Sequence, residues 1–376
     1  MKKKLLAVLL AGTMAAASLM ACGGSAAPAA SSEAAAPAES KEEAAPAESK
    51  EEAPAAEAPA EVVEVSFAHN VNEKAPWSRA TDDAIAWLAE KSGGKFHGTN
   101  YPSGSLFQGD WQKLFEMCQT NSIQVGIEGM MSLGAINPHT NFMVQPFLFE
   151  NEEQVNYFFN DPENTVWQRF MEEFKDNGVV ILGVCPRPMR QISNTKHECA
   201  KLEDFGDLTL RAPSNDVIVA TMEALGIRAI PMASGEIYQA IQLGTVMGED
   251  NAIGQQYEAK TFELVKYFTI CNYIADGSTM FCSKDFYDSL TADEQEMFHE
   301  MAHLWCEKNI EYQNDYTKEA REYGEAQGIK FTEMTKEEQA RCAEACKGVW
   351  EQVQSNYSQE DLDSLMAAVE RAKANA

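Results

Sequence analysis

The chain has 376 residues, 45% of them hydrophobic, and carries a formal net charge of −28 with a sequence pI near 4.6. Such an acidic chain offers no basic face for nucleic acid, so we expect no nucleic-acid partner. Its length suffices for two packed lobes. The acidity also gives no long-range attraction to an anion, so an anion-binding site must be a local positive group within a negative surface.

The first residues predict export. Lysines at 2–4 precede a short apolar run at 5–19, and Cys22 follows Leu-Met-Ala. A basic start, a short apolar stretch and a small residue before the cleavage point are typical of a secretory signal, and the stretch is too short for a membrane span. The pattern resembles a bacterial lipoprotein signal, which predicts a signal peptide at 1–21 and a lipid anchor on Cys22. The alternative is an ordinary signal peptide with an incidental cysteine.

The next segment predicts a tether. Residues 23–61 are nearly all Ala, Pro, Ser, Glu, Lys and Gly, and Pro-Ala-Glu-Ser-Lys-Glu-Glu-Ala occurs at 37–44 and again at 46–53. No packed core can form from this composition. We therefore predict that 22–61 is a lipidated cysteine followed by a disordered link, which would let a folded domain move above a membrane.

From residue 62 onward, strand and helix patterns alternate. Strands are predicted at 62–68, 123–127 and 179–184, and helices at 76–92, 111–120 and 155–174. The first two strands end at His69 and at Glu128 with Met130, where side chains can face a cleft. Phe149 lies at the foot of a further core segment. The alternatives are a capped or solvated His69 and a core position for Phe149, since aromatic side chains are more often core than ligand wall.

The stretch 206–251 reads as a parallel α/β unit. A strand at 208–210 ends at Arg211, a strand at 227–230 follows a helix, and a strand at 245–247 leads into Gly-Glu-Asp-Asn, which ends at Asn251. Ligands bind outside the carboxyl ends of strands in open α/β sheets. A guanidinium there is a fixed fork for a carboxylate, so Arg211 and Asn251 are predicted to hold a small acid. The alternative for Asn251 is a turn-forming role.

Several motifs in order carry a family resemblance. They are L-x-L-R-x-P at 208–213, A-L-G at 224–226, I-P-M-A-S-G-E-I-Y-Q-A-I-Q-L-G at 230–244, G-E-D-N at 248–251, K-Y-F-T at 266–269, and earlier Y-P-x-G-x-L at 101–106 and P-F-L-F at 146–149. The chain resembles the extracytoplasmic solute-binding subunits of TRAP transporters, the tripartite ATP-independent importers of organic acids. That family usually reads D-G-Q-E-N at the fourth motif, from which Met247, Glu249 and Asp250 depart.

The resemblance implies an α/β, two-lobed periplasmic-binding-protein-like fold (type II-like), with a long helix that spans both lobes. It implies lobe I at 62–187 plus 277–316 and lobe II at 188–276 plus 317–376, joined by a crossover at the prolines of 186–188. It also implies that Arg190 adds charge to the ligand carboxylate, with a surface or interlobe salt bridge as the alternative. The expected partners are a small carboxylate and the integral membrane subunits of a TRAP transporter, with no cofactor and no catalysis. A sensor kinase as the partner fits the same features.

A zinc motif provides an alternative function. His299-Glu300-Met301-Ala302-His303 matches HExxH, in which two histidines on one helix face bind zinc and the glutamate acts as a general base. A lipid-anchored zinc protease is therefore the alternative, although the same helix is expected to be the lobe-spanning one. The eight cysteines after Cys22 form no CxxC pair, and an even count does not establish disulfides in a chain of this length. Cys342 and Cys346 lie four apart on a predicted helix, where buried positions are the simpler interpretation.

Overall fold

The computed structural model describes residues 62–376. The predicted signal peptide, Cys22 and the tether lie outside the described residues. In the described part, no helix is both long enough and apolar enough to cross a membrane.

The described chain alternates strands and helices. The strands are β1 (Val63–Ala68), β2 (Phe96–Tyr101), β3 (Val125–Gly129), β4 (Val179–Pro186), β5 (Arg190–Asn194), β6 (Thr209–Ala212), β7 (Arg228–Pro231), β8 (Gly248–Asn251), β9 (Tyr267–Ile274), β10 (Gly277–Ser283) and β11 (Lys330–Glu333). The α-helices are α1 (Pro76–Lys91), α2 (Trp111–Gln119), α3 (Met130–Leu133), α4 (Glu152–Asn160), α5 (Thr165–Glu172), α6 (Asp216–Ala224), α7 (Ile237–Gln242), α8 (Ile253–Glu258), α9 (Lys284–Ser289), α10 (Ala292–Ala326), α11 (Lys336–Ala345), α12 (Lys347–Gln354) and α13 (Gln359–Asn375).

The strands form two mixed sheets. The first has the order β2-β1-β3-β10-β4, with β1 parallel to β2 and β3, and β10 antiparallel to both of its neighbours. The second has the order β11-β9-β5-β8-β6-β7, with β6 parallel to β7 and β8, and β5 antiparallel to β8 and β9. The chain passes from the first sheet to the second between β4 and β5, and returns between β9 and β10.

The helix α10 spans both sheets. Its 35 residues correspond to about 52 Å. A capping box between Thr291 and Glu294 starts it. Trp305 lies in the core of the first sheet with Phe67, whereas Ala320 lies in the core of the second with Phe268. The predicted α/β fold with a lobe-spanning helix is confirmed.

The middle of α10, between these two cores, carries buried amides. Asn309 and Gln313 are both buried, and Asn309 Nδ2 lies 3.3 Å from Cys185 Sγ. Asn309 Oδ1 and both amide atoms of Gln313 have no hydrogen-bond partner in the described residues. The helix thus crosses from one sheet to the other over polar side chains.

Some element boundaries differ from those expected. The predicted helix at 155–174 is two helices, α4 and α5, because Pro162 lies between them and proline interrupts helical hydrogen bonding. The third strand of the 206–251 unit is β8 at Gly248–Asn251 rather than 245–247. The motif residues themselves therefore form the strand, and pair with β5 and β6.

Candidate functional site

Parallel strands of the second sheet bring Arg211 and Asn251 to one edge. Arg211 lies in β6 beside Glu249 of β8, and Asn251 ends β8. Asn251 Oδ1 accepts a hydrogen bond from the Ala252 N–H at 3.1 Å, and its Nδ2 lies 3.4 Å from Glu249 Oε2. Asn251 is half-buried, so the arrangement predicted from the strand ends is present, and its ligand contact stays a prediction.

Arg211 is a buried cation without an ionic partner in the described residues. Its side chain donates from Nε to the Met232 carbonyl at 2.9 Å and from Nη2 to Ser234 Oγ at 3.5 Å. Only 3% of the residue is exposed, and no carboxylate in residues 62–376 lies within 4 Å. Burial lowers its pKa, against the opposing effects of Asp250 and Glu249. Because a guanidinium does not deprotonate in proteins, Arg211 keeps its charge, and within the described residues Asp250 and Glu249 act on it without a direct ion pair.

Arg190 is equally buried but fully paired. Its Nε donates to Asp250 Oδ2 at 2.7 Å, and its Nη2 donates to Asp250 Oδ1 at 3.1 Å and to the Asp250 carbonyl at 2.8 Å. The Tyr273 hydroxyl also donates to Asp250. Burial lowers the pKa of Arg190, but contact with Asp250 outweighs it and raises the pKa above its usual value. The guanidinium expected to help hold the ligand is therefore neutralised inside the protein.

Two glutamates, Glu249 in the second sheet and Glu128 in the first, are buried. Glu249 is fully buried, and its Oε1 has no hydrogen-bond partner among the described residues. Burial raises the pKa of Glu249, although Arg211 lowers it. On the first sheet, Glu128 ends β3 and accepts hydrogen bonds from Ser132 Oγ at 3.0 Å and Asn70 Nδ2 at 3.2 Å. Burial raises the pKa of Glu128 too, so both carboxyls favour the neutral form more than usual.

A second arginine, Arg187, is also paired with a carboxylate, on the side of the first sheet. Arg187 Nη1 lies 2.7 Å from Asp276 Oδ2, and its guanidinium lies over the Trp77 ring. Asp276 also accepts from the Met131 N–H at 3.1 Å. Met130 precedes this residue at the start of α3 and is fully buried. Its ligand contact stays a prediction.

The loops that follow the two strand ends approach each other. Asn215, four residues after Arg211, caps α6 and places its Nδ2 3.5 Å from both the Met131 carbonyl and Asn141 Oδ1. Farther along, Asn72 donates to Glu258 Oε1 from its backbone at 3.1 Å and from its side chain at 2.8 Å. The segments that follow β6 and β3 are therefore in contact, and a second contact between the two sheets joins Asn72 to Glu258.

Two predicted contact residues lie deeper in the protein. His69 is fully buried, and neither ring nitrogen has a hydrogen-bond partner in the described chain. Burial lowers its pKa from 6.5 to about 4, against smaller effects of Asn100 and Asp82. Phe149 lies in the hydrophobic core, 5.3 Å from Phe158 between ring centroids. Ligand contacts of His69 and Phe149 stay predictions.

The zinc motif lies on α10 in a different setting. His299 Nδ1 is 3.1 Å from the Leu182 carbonyl and its Nε2 is 3.1 Å from the Tyr287 hydroxyl, so the protein occupies both ring nitrogens. Glu300 pairs with Lys91 at 3.1 Å, and the exposed His303 lies 3.6 Å from Glu307. Across residues 62–376, no group of three or more His, Cys, Asp or Glu side chains is arranged to hold a metal ion.

Sequence reasoning missed the partners that set the charge of the cleft. Asp250 and Tyr273 hold Arg190, and Asp276 holds Arg187. The departure of Glu249-Asp250 from the family motif is the sequence signal that points to the first pair. A separate pocket of 460 Å³ lies between the β1–α1 segment and the helices α8 and α10. Its lining is Asn72, Lys74, Arg79, Tyr257, Glu258, Lys260, Phe262, Glu263, Tyr316, Glu319 and Tyr323.

Comparisons with known proteins agree with this fold. A solute-binding protein from Chromohalobacter salexigens is 23% identical over 227 residues, which are 60% of this chain and 66% of that protein. A C4-dicarboxylate-binding periplasmic protein from Shewanella loihica is 24% identical over 318 residues, 83% of this chain and 91% of its own. The structure of a TRAP periplasmic solute-binding protein from Chromohalobacter salexigens with bound D-glucuronate has the same fold, with a TM-score of 0.75. It is 19% identical in sequence, and the match covers 82% of this chain and 99% of that one.

The family model described as bacterial extracellular solute-binding protein, family 7, matches residues 67–356. This match covers most of the described chain, including both sheets and the segment that carries Arg211. The family is one of substrate-binding proteins, and the match supports solute binding rather than the zinc protease. The chain belongs to the bacterial extracellular solute-binding protein family 7, as its resemblance to TRAP solute-binding subunits predicts.

Proposed function

We propose that this protein captures a small organic acid in the cleft between its two sheets and delivers it to the membrane subunits of a TRAP transporter. The observation that carries the proposal is Arg211, a guanidinium that is 3% exposed and has no carboxylate partner within the described chain. A ligand carboxylate supplies the missing charge, and the protein performs no chemistry on it.

The geometry favours a two-point clamp. Arg211 Nε is committed to the Met232 carbonyl, and Nη2 makes only a long contact to Ser234, so Nη1 and Nη2 are available for a carboxylate. Two parallel N–H···O bonds are the strongest way for arginine to hold such a group. Asn251, at the next strand end, is placed to fix the orientation of the ligand.

The relatives support an acid as the ligand. One is named for C4-dicarboxylates, and one solved structure holds D-glucuronate. Both ligands carry at least one carboxylate, which is the group that Arg211 recognises. Between transporter subunits and a sensor kinase as the partner, the family resemblance favours the transporter.

The lobes and the anchor complete the proposal. We place lobe I at 62–187 plus 277–316 and lobe II at 188–276 plus 317–376. The helix α13 is an exception, because it packs on α4 and α5, with Arg371 paired to Asp161 at 2.6 Å. Lipidated Cys22 would hold the protein at the outer face of the cell membrane. Mass spectrometry of the mature N-terminus tests this anchor, since a terminus other than a lipidated residue 22 contradicts it.

The test of the clamp begins with a thermal-shift screen of organic acids. A ligand at one hundred times its Kd adds about 2.7 kcal/mol of stability, which such a screen detects. Calorimetric titration of the acid found is then repeated with Arg211→Ala, Arg211→Lys and Arg228→Ala. Arg228 is the matched control, because it is an exposed arginine in the neighbouring strand β7.

We expect Arg211→Ala to cost about 2–5 kcal/mol of binding free energy, roughly 30- to several-thousand-fold in Kd. Arg211→Lys keeps the charge but loses the fork, so its Kd falls between those of wild type and Arg211→Ala. Arg228→Ala leaves binding unchanged. If folded Arg211→Ala binds the acid within threefold of wild type, the carboxylate clamp is wrong.

A further inference from the structure

The charge available to a ligand in this cleft is set by which arginines are already neutralised. Three arginines lie around it, and two of them have internal partners: Arg190 with Asp250 and Arg187 with Asp276. In the described residues, Arg211 is the buried guanidinium that has no carboxylate within 4 Å. The described residues therefore present one buried guanidinium without a contacting carboxylate, on which Asp250 and Glu249 act from more than 4 Å away.

Several buried contacts hold the ion pair between Arg190 and Asp250 in place. Asp250 receives two side-chain hydrogen bonds from Arg190 and a third from Tyr273, and its carbonyl receives another from Arg190. Both charged side chains are at most 4% exposed, so neither has water to replace its partner. A ligand that draws Arg190 away would leave Asp250 as an unpaired buried anion, which is strongly unfavourable.

The remaining ionisable groups at the cleft are acids. Glu249 lies beside Arg211 in the adjacent strand and has an unpartnered Oε1, and Glu128 ends β3 on the opposite side. Burial raises the pKa of both. These carboxyls can exchange hydrogen bonds with a ligand hydroxyl, whereas a second ligand carboxylate would meet acidic groups and no guanidinium that lacks a contacting carboxylate.

Other cations nearby do not change this balance. Lys74, Arg79 and Lys260 line the 460 Å³ pocket at the outer side of α8, together with the carboxylates of Glu258, Glu263 and Glu319. The lining of this pocket includes none of Arg211, Glu249 and Glu128. Its three positive groups are matched by three negative ones.

We propose that the cleft selects monocarboxylates over dicarboxylates, because Asp250 neutralises Arg190 and leaves Arg211 as the single cation for the ligand. This inference rests on the proposed function and narrows it to one class of acid. The remainder of the ligand is uncharged and carries hydrogen-bond donors such as hydroxyl groups.

The first experiment uses the wild-type protein and pairs of acids that differ only in one terminal group. Gluconate and glucarate share a carbon skeleton, as do galactonate and galactarate, and as do 4-hydroxybutyrate and succinate. Thermal shift and calorimetric titration measure each pair. We expect a monocarboxylate to bind and its dicarboxylate counterpart to bind about 100-fold more weakly or not detectably.

The second experiment asks whether the Arg190–Asp250 pair causes the selectivity. Asp250→Asn keeps the shape and the backbone carbonyl contact but removes the negative charge, so Arg190 gains an unmet positive charge. We expect the Kd of the matched dicarboxylate to fall about tenfold or more relative to that of the monocarboxylate. Asp207→Asn, which alters an exposed ion pair with Lys196, is the control and should leave the ratio unchanged.

Each outcome separates this inference from the function on which it rests. If a dicarboxylate binds wild type as tightly as its monocarboxylate partner, and Arg211→Ala abolishes that binding, the protein is an acid-binding protein but the selectivity proposed here is wrong. If folded Asp250→Asn keeps the wild-type ratio, the role of the Arg190–Asp250 pair is wrong. If no acid of either kind binds, the carboxylate function itself fails.

Discussion

Arg190 and Arg211 are 3% exposed alike and belong to the same sheet, yet they are in opposite states. Arg190 has a bidentate partner in Asp250, whereas Arg211 contacts only a carbonyl and a hydroxyl. Burial of a charge is expensive unless it is paired, so the first arginine contributes to the folded state and the second is a cost that a ligand removes. We therefore propose Arg211 as the binding residue on the ground of its missing ion-pair partner, and not of its burial.

His69 shows that burial without a hydrogen-bond partner does not by itself indicate a ligand contact. It is fully buried and unpartnered in the described chain, like Arg211, but its pKa is lowered to about 4 and the ring is neutral at physiological pH. A histidine can lose its proton to enter an apolar site, and an arginine cannot. A missing partner therefore indicates a ligand for Arg211 and does not do so for His69.

The largest effect is expected on the paired arginine. Asp250→Ala leaves Arg190 buried without its counterion and should lower the free energy of unfolding by about 3–5 kcal/mol. Urea denaturation followed by circular dichroism measures it. Asp207→Ala, in an exposed pair with Lys196, should cost no more than about 1 kcal/mol. Equal losses in the two variants would contradict the difference between a buried and an exposed pair.

The next effect belongs to His69 and depends on pH. Its pKa is about 4 in the folded protein and 6.5 when unperturbed, so the unfolded chain binds the proton first as pH falls. Stability is therefore intact above pH 6.5, declines between pH 6.5 and 4, and has lost about 3 kcal/mol below that.

His69→Gln should remove that part of the acid sensitivity, whatever its absolute stability. Urea denaturation at several pH values compares it with wild type, and His97→Gln is the control because His97 is an exposed histidine of the same sheet. A wild-type pH profile in His69→Gln would show that His69 does not resist protonation.

A smaller effect is expected from loss of the Tyr273 hydroxyl, which donates to the buried Asp250 carboxylate. Tyr273→Phe removes a hydroxyl that donates to the Asp250 carboxylate, and hydrogen bonds to charged groups are worth about 1.5–3 kcal/mol. We expect a loss of about 2 kcal/mol in the free energy of unfolding, with no cavity to add to it. Thermal and urea unfolding measure it, and an unchanged stability would show that Arg190 alone holds Asp250.

The smallest effect has the opposite sign. Arg211→Met replaces an unpaired buried cation with an apolar side chain of similar length, so the ligand-free protein should gain about 1 kcal/mol of stability while it loses ligand binding. Arg228→Met, at an exposed position of β7, should stay within about 0.5 kcal/mol of wild type. Destabilisation by Arg211→Met would mean that Arg211 supports the fold and not the ligand.

The sequence was sufficient for part of this picture. Alternating apolar residues before Arg211, and the proline after it, predict a strand whose end carries a guanidinium, because strand period and ligand placement follow local rules. The state of Arg190 follows no local rule. It depends on Asp250, 60 residues away, and on Tyr273 of a third strand, which only the order β9-β5-β8 brings together.

Helix lengths show the same limit. The family resemblance predicts a lobe-spanning helix without its bounds, and α10 continues to Ala326 because it packs on both sheets. Conversely, a helix predicted at 155–174 breaks at Pro162 into α4 and α5. The causes differ: packing on both sheets stabilises α10 along its length, whereas a proline in the sequence itself divides the helix predicted at 155–174.

In mechanical terms, α10 connects the two sheets as one rod, with Trp305 packed in one core and Ala320 in the other. Any rotation of one sheet against the other must bend this helix or disrupt its packing in one of the two cores. Between these two residues α10 carries the buried Asn309 and Gln313, whose amide atoms are incompletely bonded, beside the partly buried Ile310 and Tyr312. We expect any bending of α10 to be easiest in that span, because its buried amides have few hydrogen bonds to lose when the helix moves.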